Sequence, residues 1–175
     1  QTEEHRPYGG VVPEIASRRH VEELPAIIAG ALREARCDWS GLDAVAVTRG
    51  PGLATSLLPG LVTARALAYR LGVPLWLLNH LEAHIYSVFL SPGTPSPREA
   101  APLLFLTVSG GHTNLVLIRD LHSYRMLGTT MDHAAGEALD KASNLLDLGY
   151  PGGPAIEKAA ACGDAEYVAF PRGKQ

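Results

Sequence analysis

The stretch Asn79-His80-Leu81-Glu82-Ala83-His84 sets two histidines four residues apart in an apolar context. A helix turns once in about 3.6 residues, so side chains at i and i+4 point the same way. His80 and His84 can therefore hold one metal ion from one helix face. On spacing alone a second reading stays open: two hydrogen-bonded imidazoles on a half-buried helix. The pattern is not that of a zinc protease, in which the glutamate base directly follows the first histidine. Glu82 comes two residues after His80, which at about 100° per residue sets it roughly 200° round the helix. It cannot activate a water on the histidines' face. Two nitrogens also leave a metal incompletely ligated, so a third protein ligand, a carboxylate, is expected elsewhere.

A second candidate is the turn Ser109-Gly110-Gly111-His112-Thr113, which lies between two strand-like runs. Glycines permit positive φ and close backbone approach, and successive N–H groups can form an anion-binding nest. An ordinary hairpin turn is the competing reading. In Gly136-Glu137-Ala138-Leu139-Asp140-Lys141, Glu137, Asp140 and Lys141 share one helix face. The carboxylates either accept hydrogen bonds from ribose hydroxyls or form a solvated Glu–Lys pair. Pro151-Gly152-Gly153-Pro154 either stops a helix or presents a backbone N–H to a flat ring. Gly50-Pro51-Gly52 reads as structural.

The elements that must position these residues fall into two styles. Helical spacing runs from Pro13 to about Arg36, with Pro25 expected to kink or split it. Residues 42–48 read as a buried strand, 55–71 as a helix closed by Gly72, and 74–78 as a second strand. Asn79 then caps a helix over 80–90. This strand–helix alternation predicts a parallel sheet with helices on it. Residues 91–101, rich in Pro and Ser, read as a loop or linker. Beyond it, 103–108, 113–118 and 124–130 read as an antiparallel meander. A helix over about 133–148 and a short one over 155–161 follow. Residues 1–12 carry no element pattern.

The expected fold class is α/β, with residues 1–90 as one part, 91–101 as a linker and 102–175 as a second part. The order strand-helix-strand-helix, then three strands and a helix, is the back of one unit followed by the front of another. It reads as a cut through a duplicated β-β-β-α-β-α-β-α unit. The chain starts at Gln1 without an initiator Met, and it is expected to be a piece of a longer protein.

The 46% hydrophobic content over 175 residues supports a packed core rather than disorder. A net charge of −3 gives no global basic signature, so any nucleic acid must meet a local patch or a partner's surface. Cys37 and Cys162 have no ligand spacing and read as free thiols of a reducing compartment, the cytoplasm. No apolar run approaches the roughly 20 residues of a membrane span, and no membrane partner is expected.

Taken together, the segments YGGVVPEIASRRH (8–20), TRGPGL (48–53), NHLEAH (79–84), VSGGHT (108–113), DHAAGEALDKASNLLDLGYPGGP (132–154) and FPR (170–172) resemble the tRNA threonylcarbamoyladenosine transferase family in its bacterial form. That family was formerly labelled glycoprotease or O-sialoglycoprotein endopeptidase. The resemblance covers nearly the whole chain. It implies a duplicated ribonuclease-H-like fold of the actin, Hsp70 and sugar-kinase type, here as the back of the first lobe and the front of the second. It implies an acyltransferase that moves threonylcarbamoyl from threonylcarbamoyl-AMP to N6 of the adenosine beside the anticodon, in tRNAs reading ANN codons.

His80 and His84 match the family's metal ligands, for one divalent ion per subunit, Fe(2+) in preference to Zn(2+). Thr107, Val108, Ser109, Gly110, Gly111, Asp140 and Gly153 match its adenylate-binding residues, and Glu137 is added to them from the helix-face argument. The implied partners are tRNA, a smaller paralogue and a P-loop ATPase. The third metal ligand, an Asp, is expected beyond Gln175, and the piece alone is expected to be inactive. Two alternatives are carried: a metalloendopeptidase acting on glycoproteins, and a non-catalytic scaffold like the smaller paralogue.

Overall fold

The computed structural model describes residues 1–120 and 123–171. The amino terminus is helical where no element was expected. A short helix α1 (Thr2–His5) runs into a 3-10 turn (Arg6–Tyr8), and buried His5 accepts the Val12 N–H at 3.2 Å through Nδ1. Helix α2 (Pro13–Glu34) is 22 residues long and continues through Pro25 rather than splitting there. Proline costs such a helix about 3 kcal/mol, but the loss is local, and α2 is held along a second helix. Asp38 then caps a 3-10 turn (Trp39–Gly41) by accepting the Ser40 and Gly41 N–H groups at 2.9 and 3.2 Å. That turn delays strand β1 to Val45–Gly50, three residues later than the apolar run at 42 suggested.

Helix α3 (Ala54–Leu71) crosses over to strand β2 (Leu75–Asn79), which pairs parallel with β1 from Val45↔Leu75 to Gly50↔Asn79. Buried Ala16 on α2 and Ala64 and Ala68 on α3 supply the small residues of this helical layer. Helix α4 (His80–Ser87) leaves β2 without a loop and ends in a 3-10 turn (Val88–Leu90), so the expected 80–90 helix changes type in its last turn. The 91–101 stretch is not wholly loop. It contains helix α5 (Pro97–Ala100), set by a capping box in which Ser96 and Glu99 exchange hydrogen bonds, the reciprocal pattern of S-x-x-E.

Strands β3 (Leu103–Val108), β4 (Thr113–Asp120) and β5 (Ser123–Thr129) form the expected antiparallel meander, in the order β3-β4-β5. Period-2 alternation is plain on β4, where Asn114, Val116 and Ile118 are buried. Helix α6 (Ala135–Leu145) is shorter than expected at both ends. Asp132 takes the His133 N–H at 2.7 Å and Thr130 Oγ1 donates to the His133 carbonyl at 2.7 Å, which holds 130–133 in a turn. At the other end Asp147 has φ 54° and breaks the helix. Helix α7 (Gly152–Ala160) starts three residues before the expected Ala155, because Pro151 serves as N-cap and both glycines join the first turn.

The core cluster matters most for the site. Ile85 of α4 packs with Val116 and Ile118 of β4, flanked by Leu103 and Phe105 of β3. The helix that follows the parallel pair is therefore seated on the antiparallel sheet. Among the described residues no helix is long and apolar enough to cross a membrane. Arg172, the last residue of the FPR segment, lies outside the described residues.

Candidate metal and nucleotide site

Asn79 starts α4 as its sequence position suggests: its side-chain oxygen accepts the Leu81 and Glu82 N–H groups at 2.8 and 3.3 Å. The helix then brings the Nε2 atoms of His80 and His84 to 3.1 Å, with the rings edge to face. Nitrogens held about 2.0–2.1 Å from one ion and 3.1 Å from each other subtend about 100° at it. That lies between octahedral and tetrahedral ligation, so the spacing would suit one divalent ion, and the same 3.1 Å contact is the imidazole–imidazole hydrogen bond of the other reading. Burial, and secondarily the charges of His84 and His112, hold the His80 pKa below its usual value. The neutral imidazole is the form that ligates. Among the described residues no set of three His, Cys, Asp or Glu side chains is gathered to hold a metal.

The 109–113 turn meets this pair through His112, whose ring centroid is 6.0 Å from that of His80. The turn is a closed hairpin: the Ser109 N–H donates to the His112 carbonyl at 2.8 Å, and the His112 N–H donates to Ser109 Oγ at 3.0 Å. This leaves the N–H groups of Gly110 and Gly111 without partners among the described residues. Neither glycine uses the positive φ that the residue type permits. A Cβ on either would meet nothing within 4 Å, so the Cα faces of both glycines are open, while the Gly110 amide nitrogen lies against Gly136. Thr107 is buried at the end of β3, and Val108 next to it is exposed.

Beneath the turn, α6 abuts its backbone. The Gly136 N–H donates to the Ser109 carbonyl at 3.1 Å, and Thr113 Oγ1 accepts the Ala135 N–H at 2.9 Å. Helix α7 is tied to α6 by Asp140, whose Oδ1 accepts the Gly152 N–H at 2.7 Å. A Cβ on Gly152 would come within 2.5 Å of Asp140 Cα, so only glycine permits this approach. Asp140 and Gly153 thus belong to one helix junction, linked through α6 to the turn. Glu137 pairs with Lys141 at 2.9 Å on the helix surface, and that bond is the leading cause of its lowered pKa.

Two relationships were missing from the sequence reading. In sequence His112 is one residue of the 109–113 turn, and nothing local indicates that its ring stands beside His80. Glu82 is hydrogen-bonded to Tyr124 of β5 at 3.0 Å, which raises the tyrosine pKa. Both depend on how α4 sits on the second sheet, and no local pattern encodes that.

The description of TsaD, tRNA N6-adenosine threonylcarbamoyltransferase, matches residues 1–175. A protein of that name from Caldicellulosiruptor saccharolyticus is 51% identical over 171 residues, covering 98% of this chain and 50% of the relative. One from Sphingopyxis alaskensis is 52% identical over 172 residues, covering 98% of this chain and 49% of the relative. The chain spans about half the length of the relatives it matches. Among solved structures, YeaZ from Pseudomonas aeruginosa overlays with a TM-score of 0.44 at 19% identity, over 62% of this chain and 49% of that one. The match over every residue, with two relatives above half identity, shows that the chain belongs to the tRNA N6-adenosine threonylcarbamoyltransferase family.

Proposed function

We propose that this chain carries the metal and adenylate half-sites of an acyltransferase that moves threonylcarbamoyl from threonylcarbamoyl-AMP to N6 of the adenosine beside the anticodon, in tRNAs reading ANN codons. The observation that carries the reading is the meeting of two motifs. His80 and His84 approach each other to 3.1 Å, and His112 of the glycine turn stands 6.0 Å from His80. Family membership supports the same assignment.

In the reaction the N6 lone pair forms a bond to the carbamoyl carbon. The C–O bond to phosphate breaks, AMP leaves with the electron pair, and N6 gives up a proton. His80 and His84 would hold one divalent ion, with Fe(2+) preferred over Zn(2+) for two imidazoles and a carboxylate from elsewhere. The chemistry such an ion supplies when bound is Lewis-acid polarisation of the carbamoyl oxygen. The N–H groups of Gly110 and Gly111, unpartnered among the described residues, would donate to the phosphate oxygens of the donor. Thr107, Val108, Ser109, Asp140 and Gly153 would frame the nucleotide, and Glu137 stands on the same helix as Asp140. Glu82 is turned to Tyr124, which leaves no carboxylate of α4 beside the histidines as a hydrolytic base.

The parallel β1–β2 pair and the antiparallel β3–β5 sheet support residues 1–90 as the back of a first ribonuclease-H-like lobe and 102–175 as the front of a second. The enzyme would work in the cytoplasm with the smaller paralogue and the P-loop ATPase. The test is direct. The full-length protein is incubated with threonylcarbamoyl-AMP, these partners and unmodified tRNA, and the digested nucleosides are analysed by mass spectrometry. Threonylcarbamoyladenosine is expected, and its absence would overturn the reading.

A further inference from the structure

Sequence spacing gives Glu82 only a negative role, and the structure gives it a partner. Tyr124 Oη donates to Glu82 Oε1 at 3.0 Å. The bond joins α4, which carries both histidines, to β5, an edge strand of the antiparallel sheet. On the same helix Ile85 is buried against Val116 and Ile118. Positions 82 and 85 lie about 60° apart on a helical wheel, and the histidines occupy another face.

Helix α4 has eight residues, too few to be stable without tertiary support. Two of its contacts with the antiparallel sheet act differently. Apolar burial of Ile85 is non-directional and allows the helix to roll about its axis. A hydrogen bond has a preferred distance and angle, so the one from Tyr124 stops that roll. The sheet that carries Tyr124 also carries the 109–113 turn, between β3 and β4. The bond therefore links the histidine helix to the sheet that carries the glycine turn.

We propose that Tyr124 and Glu82 are positioning residues that set the roll of α4 and hence the direction in which His80 and His84 face the 109–113 turn. The inference rests on the reading of His80 and His84 as the ligand pair of the transfer site.

Tyr124→Phe, Glu82→Ala and Glu82→Gln in the full chain test it, with Zn(2+) affinity measured by chelator competition and transfer measured in the reconstituted system. Glutamine keeps an acceptor for the tyrosine. Tyr124→Phe and Glu82→Ala are expected to lower kcat by about 10- to 100-fold with the donor KM within about twofold. The same two variants are expected to weaken Zn(2+) binding about tenfold, with Glu82→Gln within about threefold of the parent. The double variant Tyr124→Phe/Glu82→Ala is expected to be no worse than either single one. Unchanged kcat and Zn(2+) affinity, with or without a lower melting temperature, overturn the proposal. So does a Glu82→Gln variant as impaired as Glu82→Ala. A parent chain that transfers nothing overturns the functional reading alone, and the Zn(2+) affinities then decide the positioning role.

Discussion

Gly136 lies so close under the glycine turn that a Cβ added to it would stand 2.7 Å from the amide nitrogen of Gly110. The obstacle is backbone, so no flexible side chain can yield. Gly136→Ala must push the turn away from α6, at a cost of about 1–3 kcal/mol for forced overpacking. The expected outcome is a lower melting temperature and weakened binding of a threonylcarbamoyl-adenylate analogue by calorimetry. Gly111→Ala, where a Cβ meets nothing, leaves the melting temperature near that of the parent. A stable Gly136→Ala chain with parental analogue affinity would contradict the packing account.

The histidine pair makes a separable prediction. His80→Ala or His84→Ala halves the nitrogen grip, and the chain is expected to lose bound iron or zinc after dialysis, by elemental analysis. Metal affinity falls at least about 10- to 100-fold, the loss seen even for outer partners of metal ligands. The fold survives, because Ile85 rather than either histidine seats α4 on the sheet. Metal content equal to the parent's would remove the pair from the site.

Asn79 supplies the first turn of α4 with its acceptor. Asn79→Ala is expected to cost about 1 kcal/mol of stability, as N-cap loss does. Asn79→Asp, which keeps the acceptor, is expected to restore most of it. Chemical denaturation measures both, and equal stability of all three chains would refute the cap's contribution.

Ser143 is fully buried, and its Oγ donates to the Gly149 carbonyl at 2.6 Å, closing the bend between α6 and α7. Ser143→Ala leaves that carbonyl without the donor, at about 1–3 kcal/mol. Because the bend sets α7 against Asp140, nucleotide affinity is expected to fall with stability. Loss of stability with no change in affinity would uncouple the junction from the site.

Glu137 gives a pH signature. Its bond to Lys141 lowers its pKa in the folded chain, so the pair contributes above the unfolded glutamate pKa of about 4.3. That contribution is lost as pH falls through the lowered folded value. The Glu137 carboxyl carbon resonance is expected to titrate below the usual glutamate range, and added salt to move it back. Titration at or above the usual value would show the pair is not formed in solution.

Much of this site was legible from residue type and spacing. The shared face of His80 and His84, the Asn79 cap and the hairpin at 109–113 follow from helix period and turn chemistry. All three strands of the meander, 103–108, 113–118 and 124–130, were legible, and they form β3, β4 and β5. What escaped was set by contacts between distant segments. Gly110 and Gly111 suggested positive φ, yet the glycine required by packing is Gly136, because two backbones meet there. Asp140 suggested a ribose acceptor, and its Oδ1 is engaged by Gly152. Element boundaries moved where a side chain captured a nearby N–H, as Asp38 does before β1 and Asp132 before α6, and where backbone conformation set the limit, at Asp147 and Pro151.

The most direct test of the composite site is a crystal structure of the full chain with a non-hydrolysable threonylcarbamoyl-adenylate analogue and zinc, phased on the zinc anomalous signal. One anomalous peak bonded to Nε2 of both His80 and His84 is expected, with the analogue's phosphate on the Gly110 and Gly111 N–H groups and its carbamoyl oxygen toward the metal. An anomalous peak elsewhere, or an analogue bound away from the 109–113 turn, would contradict a single site.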